Sequence, residues 1–276
     1  MFLRINQKDK SDWYVFKNKT HLHLYEHIKN NFHKTIKDVY NINGDYKTVC
    51  KKIQIINENT KNKILNDCKT EKEYDRTKSC IYKYVSTKNP KKYKLIYKNE
   101  YIILLENIQQ YLNDIKSIKK YFNNYYQLII KRKQTNILKR ALQNKVIINR
   151  NICNAFYDSN KYLTSDNFII TGNNLAFITA LINSNIMNLL LEGIKVEKSP
   201  NNKKLMLKTF RILTVIPDIT TEIEEFIMKQ VLYIQDKKQK DINTDNEELN
   251  LNHFIYELYK IDKSYFDYID NFNKID

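Results

Sequence analysis

The chain has 276 residues and a mass of 33.3 kDa, and its 42% hydrophobic and 12% aromatic content is enough to bury a sizeable core and to exclude wholesale disorder. A net charge of +16, from 47 Lys/Arg against 31 Asp/Glu, points to polyanionic partners. No stretch reaches the ~18 uncharged apolar residues of a membrane span, since residues 175–191 come closest and carry Asn183, Ser184, Asn185 and Asn188.

Lys, Asn, Ile and Tyr are abundant, as an AT-rich genome would produce. Cys50, Cys68, Cys80 and Cys153 have no C-x-x-C spacing, and the N-terminus MFLRINQKDKSDW is too polar for a secretory core. The cysteines therefore read as reduced thiols, and the expected location is the cytoplasm.

In chain order, DWYVF (12–16) reads as a short strand and LHLYEHIKNNFHKTIKDVY as one amphipathic helix. Asn43-Gly44 reads as a turn into a strand at DYKTVCKKIQII. Residues 57–80 are polar helix and loop, and KYKLIYKNEYIILLEN (92–107) gives two strands joined at Lys98-Asn99-Glu100. A long helix is predicted from about Ile108 to Leu142, with Tyr111, Leu112, Ile115, Ile118, Phe122, Tyr125 and Leu128 on one face. Residues 145–174 hold β-branched runs split by Asn, Asp and Ser, which predicts two or three strands. Then come an apolar helix at 175–193, a strand at 205–216, and a helix from Thr220 to Gln235 capped by Thr220 or Thr221 with Glu224 following. KKQKDINTDNEELN reads as a polar linker, and LNHFIYELYKIDKSYFDYIDN closes the chain as one or two helices. The expected fold class is α+β, a mixed sheet with packed helices.

The charge is unevenly spread. Residues 1–150 hold 33 Lys/Arg against 13 Asp/Glu, net +20, whereas residues 151–276 hold 14 against 18, net −4. Between Ile115 and Arg150 stand Lys116, Lys119, Lys120, Lys131, Arg132, Lys133, Lys139, Arg140, Lys145 and Arg150, with no acid among them. A solvated surface of ion pairs would carry both signs, so this one-signed stretch predicts a nucleic-acid partner first and an anionic membrane second. These ten residues are the candidate DNA contacts. Arg132, Arg140 and Arg150 suit bidentate contacts to guanine, and Asn residues between 134 and 151 suit adenine. Tyr125 and Tyr126 are candidates for stacking or sugar contact.

From about residue 101 the chain resembles the TaqI-like C-terminal specificity domain, the target-recognition part of adenine-N6 DNA methyltransferases and fused restriction-modification enzymes. The resemblance rests on IQQYLNDIKSIKKYFNNYYQLIIKRK, KVIINRNICNAFYDSNKYLTSDNFIITG, LAFITALINSNIMNLLLEG, LTVIPDITTEIEEFIMKQVLYIQDKK and IYELYKIDKSYFDYID, in that order over about 170 residues. It implies a specificity domain over 101–276, preceded by a variable segment over 1–100 that docks or completes it. It also implies that Asn183 and Ser184 belong to core scaffold, that Pro217 ends a strand because it has no N–H to donate, and that the acidic C-terminal half faces away from DNA.

Catalytic motifs are missing. Gly44, Gly172 and Gly193 are isolated, and Pro90, Pro200 and Pro217 are never adjacent, so neither a Gly-rich cofactor loop nor an Asn/Asp-Pro-Pro-Tyr loop is present. Asp218, Glu222 and Glu224 lack the nearby Lys of a metal-dependent nuclease and suit the first turn of a helix. His21, His23, His27 and His33 read as surface imidazoles on a basic helix, without a third ligand type to make a zinc site. No cofactor, metal or catalytic residue is expected. The sequence thus predicts a DNA-recognition subunit or fragment that works with a separate methyltransferase or restriction subunit. A non-specific nucleic-acid binder is the alternative, as is an endonuclease with a cryptic site among N-terminal acids such as Asp67, Glu71, Glu73 and Asp75.

Overall fold

The computed structural model describes residues 3–6, 13–44, 54–86, 90–105, 114–125, 142–149, 154–164, 167–193 and 215–272. They form the expected α+β fold. Strands β1 (Leu3–Asn6) and β2 (Trp13–Phe16) make an antiparallel pair. Helix α1 (Lys19–Asn31) starts where the Asn18 side chain accepts the His21 N–H at 2.9 Å. The single helix predicted here ends at Phe32, whose backbone is extended; β3 (Lys34–Thr35) and the one-turn α2 (Ile36–Val39) follow. That break is stabilised by Asp38, which accepts both the Thr35 N–H and the Thr35 hydroxyl.

Two four-stranded sheets carry the fold among the described residues. The first has the order β11 (Ala155–Asp158), β10 (Lys145–Ile148), β13 (Phe168–Thr171), β4 (Asn41–Gly44), antiparallel throughout. The predicted Asn43-Gly44 turn is instead strand, because pairing of Asn43 with Ile169 and Gly44 with Phe168 outweighs the local turn preference. The second sheet has the order β12 (Leu163–Thr164), β6 (Ile81–Val85), β9 (Glu100–Ile103), β5 (Ile55–Asn57), with β12 and β6 parallel. The two strands expected across Asn99 exist, but they are not a hairpin: β8 (Lys94–Leu95) pairs with β7 (Pro90–Lys91), while β9 lies between β6 and β5. Both sheets draw strands from either side of residue 100.

Helices α3 (Glu58–Asn66), α4 (Glu71–Ser79) and α5 (Lys116–Phe122) cover the second sheet, around Ile56, Ile64, Ile103, Ile115, Ile118 and Phe122. The long helix predicted over 108–142 is interrupted in its described part. It stops at Asn123, whose φ of 43° leaves the helical region, and one 3-10 turn follows through Tyr125; residues 106–113 and 126–141 lie outside the described residues.

The apolar run 175–193 forms two helices, α6 (Leu175–Asn183) and α7 (Asn185–Gly193), separated by the extended backbone of Ser184. Every residue of α6 is buried, because it lies against the first sheet on one side and against α8 (Thr221–Gln239) and α9 (Asp245–Leu258) on the other. Edge strand β11 is closed by two amides. Asn183 accepts the Ala155 N–H and donates to the Ala155 carbonyl, both at 2.9 Å, and Gln235 does the same for Tyr157 at 3.0 and 3.1 Å. These bonds replace a neighbouring strand and leave the edge no open ladder.

Of the strand expected over 205–216, β14 (Val215–Ile216) is described; it pairs with β3 and is followed by Pro217. Thr220, one of the two predicted caps, caps α8; of the linker expected over 237–250, α8 takes the first three residues and α9 the last six, leaving 240–244 as the connection. A 3-10 turn and α10 (Phe266–Asp270) complete the described chain. Among the described residues no helix is long and apolar enough to cross a membrane.

Candidate nucleic-acid interface

Helix α5 separates its residues by face. Ile115, Ile118 and Phe122 enter the core, while Lys116, Lys119 and Lys120 are exposed. The helix is held by a polar contact beneath it: the buried Glu73 carboxylate accepts the Ser117 N–H at 2.9 Å and the Lys69 N–H at 3.1 Å. The Ser117 hydroxyl lies 3.2 Å from the Thr77 hydroxyl and 3.3 Å from the Cys68 thiol. Burial pushes the Glu73 carboxyl up, but the backbone hydrogen bonds from Lys69 and Ser117 outweigh it and hold the group below its ordinary range. Lys120 is 3.0 Å from Asp67, and Arg76 pairs with Asp114 ahead of the helix.

Of the ten candidate contacts, Lys131, Arg132, Lys133, Lys139, Arg140 and Arg150 lie outside the described residues. Lys145 requires correction. It is fully buried at the start of β10, with its ammonium 2.7 Å from the equally buried Asp158 carboxylate directly across the hairpin. A cation with no exposure cannot meet a phosphate, so Lys145 is structural. Tyr125 is about half exposed, and Tyr126 lies outside the described residues.

The sequence reading missed a cluster of lysines and tyrosines on the sheet of β6 and β9, in which Lys61 is paired with Glu58 at 3.0 Å. Lys83 stands opposite Tyr101 in register, 5.9 Å from the Tyr97 ring centre and 6.0 Å from that of Tyr162. Lys61 lies 4.1 Å over the Tyr101 ring, and Tyr97 and Tyr162 have centroids 5.1 Å apart. Alternation in IYKYV puts Lys83 on one face of its strand, but the partners come from three separate elements and leave no local pattern.

The other candidate groups have structural roles. Asp67 and Glu73 are engaged as described, and Glu71 and Asp75 are exposed on α4. Among the described residues no three His, Cys, Asp or Glu side chains are grouped to hold a metal ion. His21 is a core residue and not a surface one: its Nε2 lies 2.9 Å from the Leu189 carbonyl, and its Nδ1 accepts the Lys17 N–H. His27 Nε2 is 3.0 Å from the Tyr259 carbonyl, while His23 and His33 are exposed. Cys68 and Cys80 are free thiols, and burial pushes Cys80 up to about 11, far from thiolate reactivity. Cys50 and Cys153 lie outside the described residues.

No family model and no curated protein matches the chain. Its fold is similar to that of two solved restriction-modification proteins. The type IIL restriction-modification enzyme MmeI, in a structure with DNA, gives a TM-score of 0.54 at 10% identity over 83% of this chain. The type IIG restriction endonuclease BpuSI gives 0.52 at 13% identity over 88%. The likeness is one of fold, and the chain spans about a third of the length of each enzyme, 34% and 32%.

Proposed function

We propose that this chain is a sequence-specific DNA-recognition unit of a restriction-modification system, related to the TaqI-like specificity domains and acting on double-stranded DNA in the cytoplasm alongside a methyltransferase or restriction subunit. The observation that carries this reading is the fold likeness, over 83% of the chain, to a restriction-modification enzyme solved on DNA. The +20 charge of residues 1–150 and the exposed lysine face of α5 support it. In this reading Lys116, Lys119 and Lys120, with the basic residues 131–140 and Arg150, neutralise phosphates and fix register. Residues 1–100 complete the specificity domain of 101–276, since β4 extends the first sheet and β5 and β6 build the second. Recognition of this kind needs no cofactor.

Selection of bound duplexes from a random pool, at about 150 mM salt where phosphate-only binding is weak, tests the reading. Enrichment of a motif of several base pairs is the expected result. Retention of unenriched DNA would instead identify a non-specific binder.

A further inference from the structure

Three loops meet at one end of the first sheet: residues 142–144 before β10, 159–162 after β11, and 172–174 after β13. They border a wide, open cleft of about 640 Å³. Among the described residues its polar lining is mostly amide: Gln143, Asn144, Asn173 and Asn174, with the Tyr157 phenol and the cation of Lys161. Leu175 and Met228 form an apolar wall.

The loops are held in conformations that cost energy. Lys161 has a φ of 58°, and Asn174 one of 54°. Gly172 has a φ of 140°, where its bare Cα faces the Tyr40 ring. Left-handed backbone at residues other than glycine persists where the surroundings over-determine it, and it gathers at functional sites. Here the surroundings are visible. Asp158 accepts the Asn160 and Tyr162 N–H groups, both at 2.9 Å, and so fixes the turn that carries Lys161. The Tyr40 hydroxyl donates to the Asn174 carbonyl at 3.2 Å, and the Asn174 amide nitrogen, suitably oriented, donates to both oxygens of Glu224. With Asn174 engaged, Gln143, Asn144 and Asn173 remain exposed beside the exposed Lys161, the Asn144 amide donating a long hydrogen bond to the Tyr157 hydroxyl at 3.5 Å. Asn149, by contrast, is buried. Leu142, which also lines the cleft, follows Arg140, the last cation of the 131–140 run, by two residues in the sequence.

We infer that this loop cluster reads bases, and that an A·T pair is its target: an exposed amide from Gln143, Asn144 or Asn173 meets the adenine N6 and N7, the apolar wall meets the thymine methyl, and Lys161 takes the neighbouring phosphate. A side-chain amide presents the donor and acceptor that match the major-groove edge of adenine, and apolar groups match the methyl. The inference rests on the recognition reading above, and its test separates the two. On the duplex obtained by selection, each base pair is exchanged in turn, and binding is measured for the parent chain, for Gln143→Ala/Asn144→Ala/Asn173→Ala combined, and for Lys161→Ala. Far-UV circular dichroism checks that these surface variants remain folded. The triple variant is expected to lose about five- to a hundredfold of its discrimination at one or two A·T pairs and to keep it elsewhere. Lys161→Ala is expected to weaken all sequences alike and to lower the slope of log affinity against log salt by about one. Full discrimination retained by the triple variant would overturn the base-reading cleft while leaving the recognition reading intact. Failure of the parent chain to select any motif would overturn both.

Discussion

Replacing Lys145 by Met separates the two roles the residue has been given. Lys145 and Asp158 both have zero side-chain exposure and lie 2.7 Å apart. Met matches the length and volume of the lysine stem, so packing is largely kept and the charge alone is lost. Asp158 then remains buried with its bonds to the Asn160 and Tyr162 N–H groups but without the ammonium. Removing one partner of a buried pair costs about 3–5 kcal/mol, whereas replacing both by apolar residues is often neutral. Lys145→Met should therefore lower unfolding free energy by that amount in urea melts followed by circular dichroism, and Lys145→Met/Asp158→Leu should recover much of the ion-pair loss, less the two turn hydrogen bonds. The deficit also depends on pH. Burial raises the Asp158 carboxyl above its ordinary value, with Lys145 working against the rise. A folded-state value above the unfolded one means that the native protein binds the proton more readily, so stability falls as pH rises through that window. Loss of Lys145 widens it upward, and the deficit should shrink at acid pH. In the folded fraction the salt dependence of DNA binding should not change. A cost below about 1 kcal/mol, the range of an exposed pair, together with a salt slope reduced by about one, would refute the burial argument and return Lys145 to the phosphate contacts.

Two further outcomes follow from α5 and its support. Changing Lys116, Lys119 and Lys120 together to Ala should weaken binding to all sequences equally and reduce the salt slope by about two to three, at ~0.9 per phosphate lost; an unchanged slope would remove α5 from the interface. Glu73→Gln should cost about 1–3 kcal/mol at neutral pH, the range for a buried donor whose acceptor is weakened. Because the Glu73 carboxyl lies below its ordinary value, its contribution is present above the unfolded carboxylate range and lost as pH falls through the folded value. The variant should accordingly show a flatter acid limb than the parent, and an identical limb would exclude Glu73 from acid sensitivity.

Much of the fold is legible in local pattern. The β-branched run 146–148 and the aromatic and β-branched run 168–170 lie in β10 and β13, and Thr220 with its acidic first turn marks the start of α8. What local pattern misses is set by distant partners. The apolar run 175–193 reads as one helix, yet it divides into α6 and α7 at its polar triplet Asn183-Ser184-Asn185, where the Asn183 amide is committed to the Ala155 backbone of a distant strand. Asn43-Gly44 has the chemistry of a turn but the register of an edge strand, because β13 provides a ladder more than a hundred residues away. His21 reads as a helix-surface imidazole until the Leu189 carbonyl and the Phe16 and Phe272 rings close around it. At Lys145 a signal was present: three consecutive apolar residues follow it, the mark of a strand buried on both faces, and the strand opposite ends in an acid.

The β10–β11 hairpin bears directly on how the basic surface works. Charge counted along the chain assigns its cation to Lys145, yet that ammonium is neutralised inside the protein by Asp158. The same carboxylate also accepts two backbone N–H groups of the following turn, and that turn sets Lys161 in a left-handed conformation beside the cleft. One acid thus removes a cation from the surface and fixes the geometry of another sixteen residues further along the chain. A flexible surface lysine in that place would supply attraction without register, since its rotamers must be ordered on binding at a cost in entropy. In the base-reading inference, a charge carried on a braced turn would meet a phosphate from a set position, with the amides on the adjoining loops held relative to it. Sequence preference requires that combination, because an amide discriminates among bases only when the backbone contact beside it fixes the register.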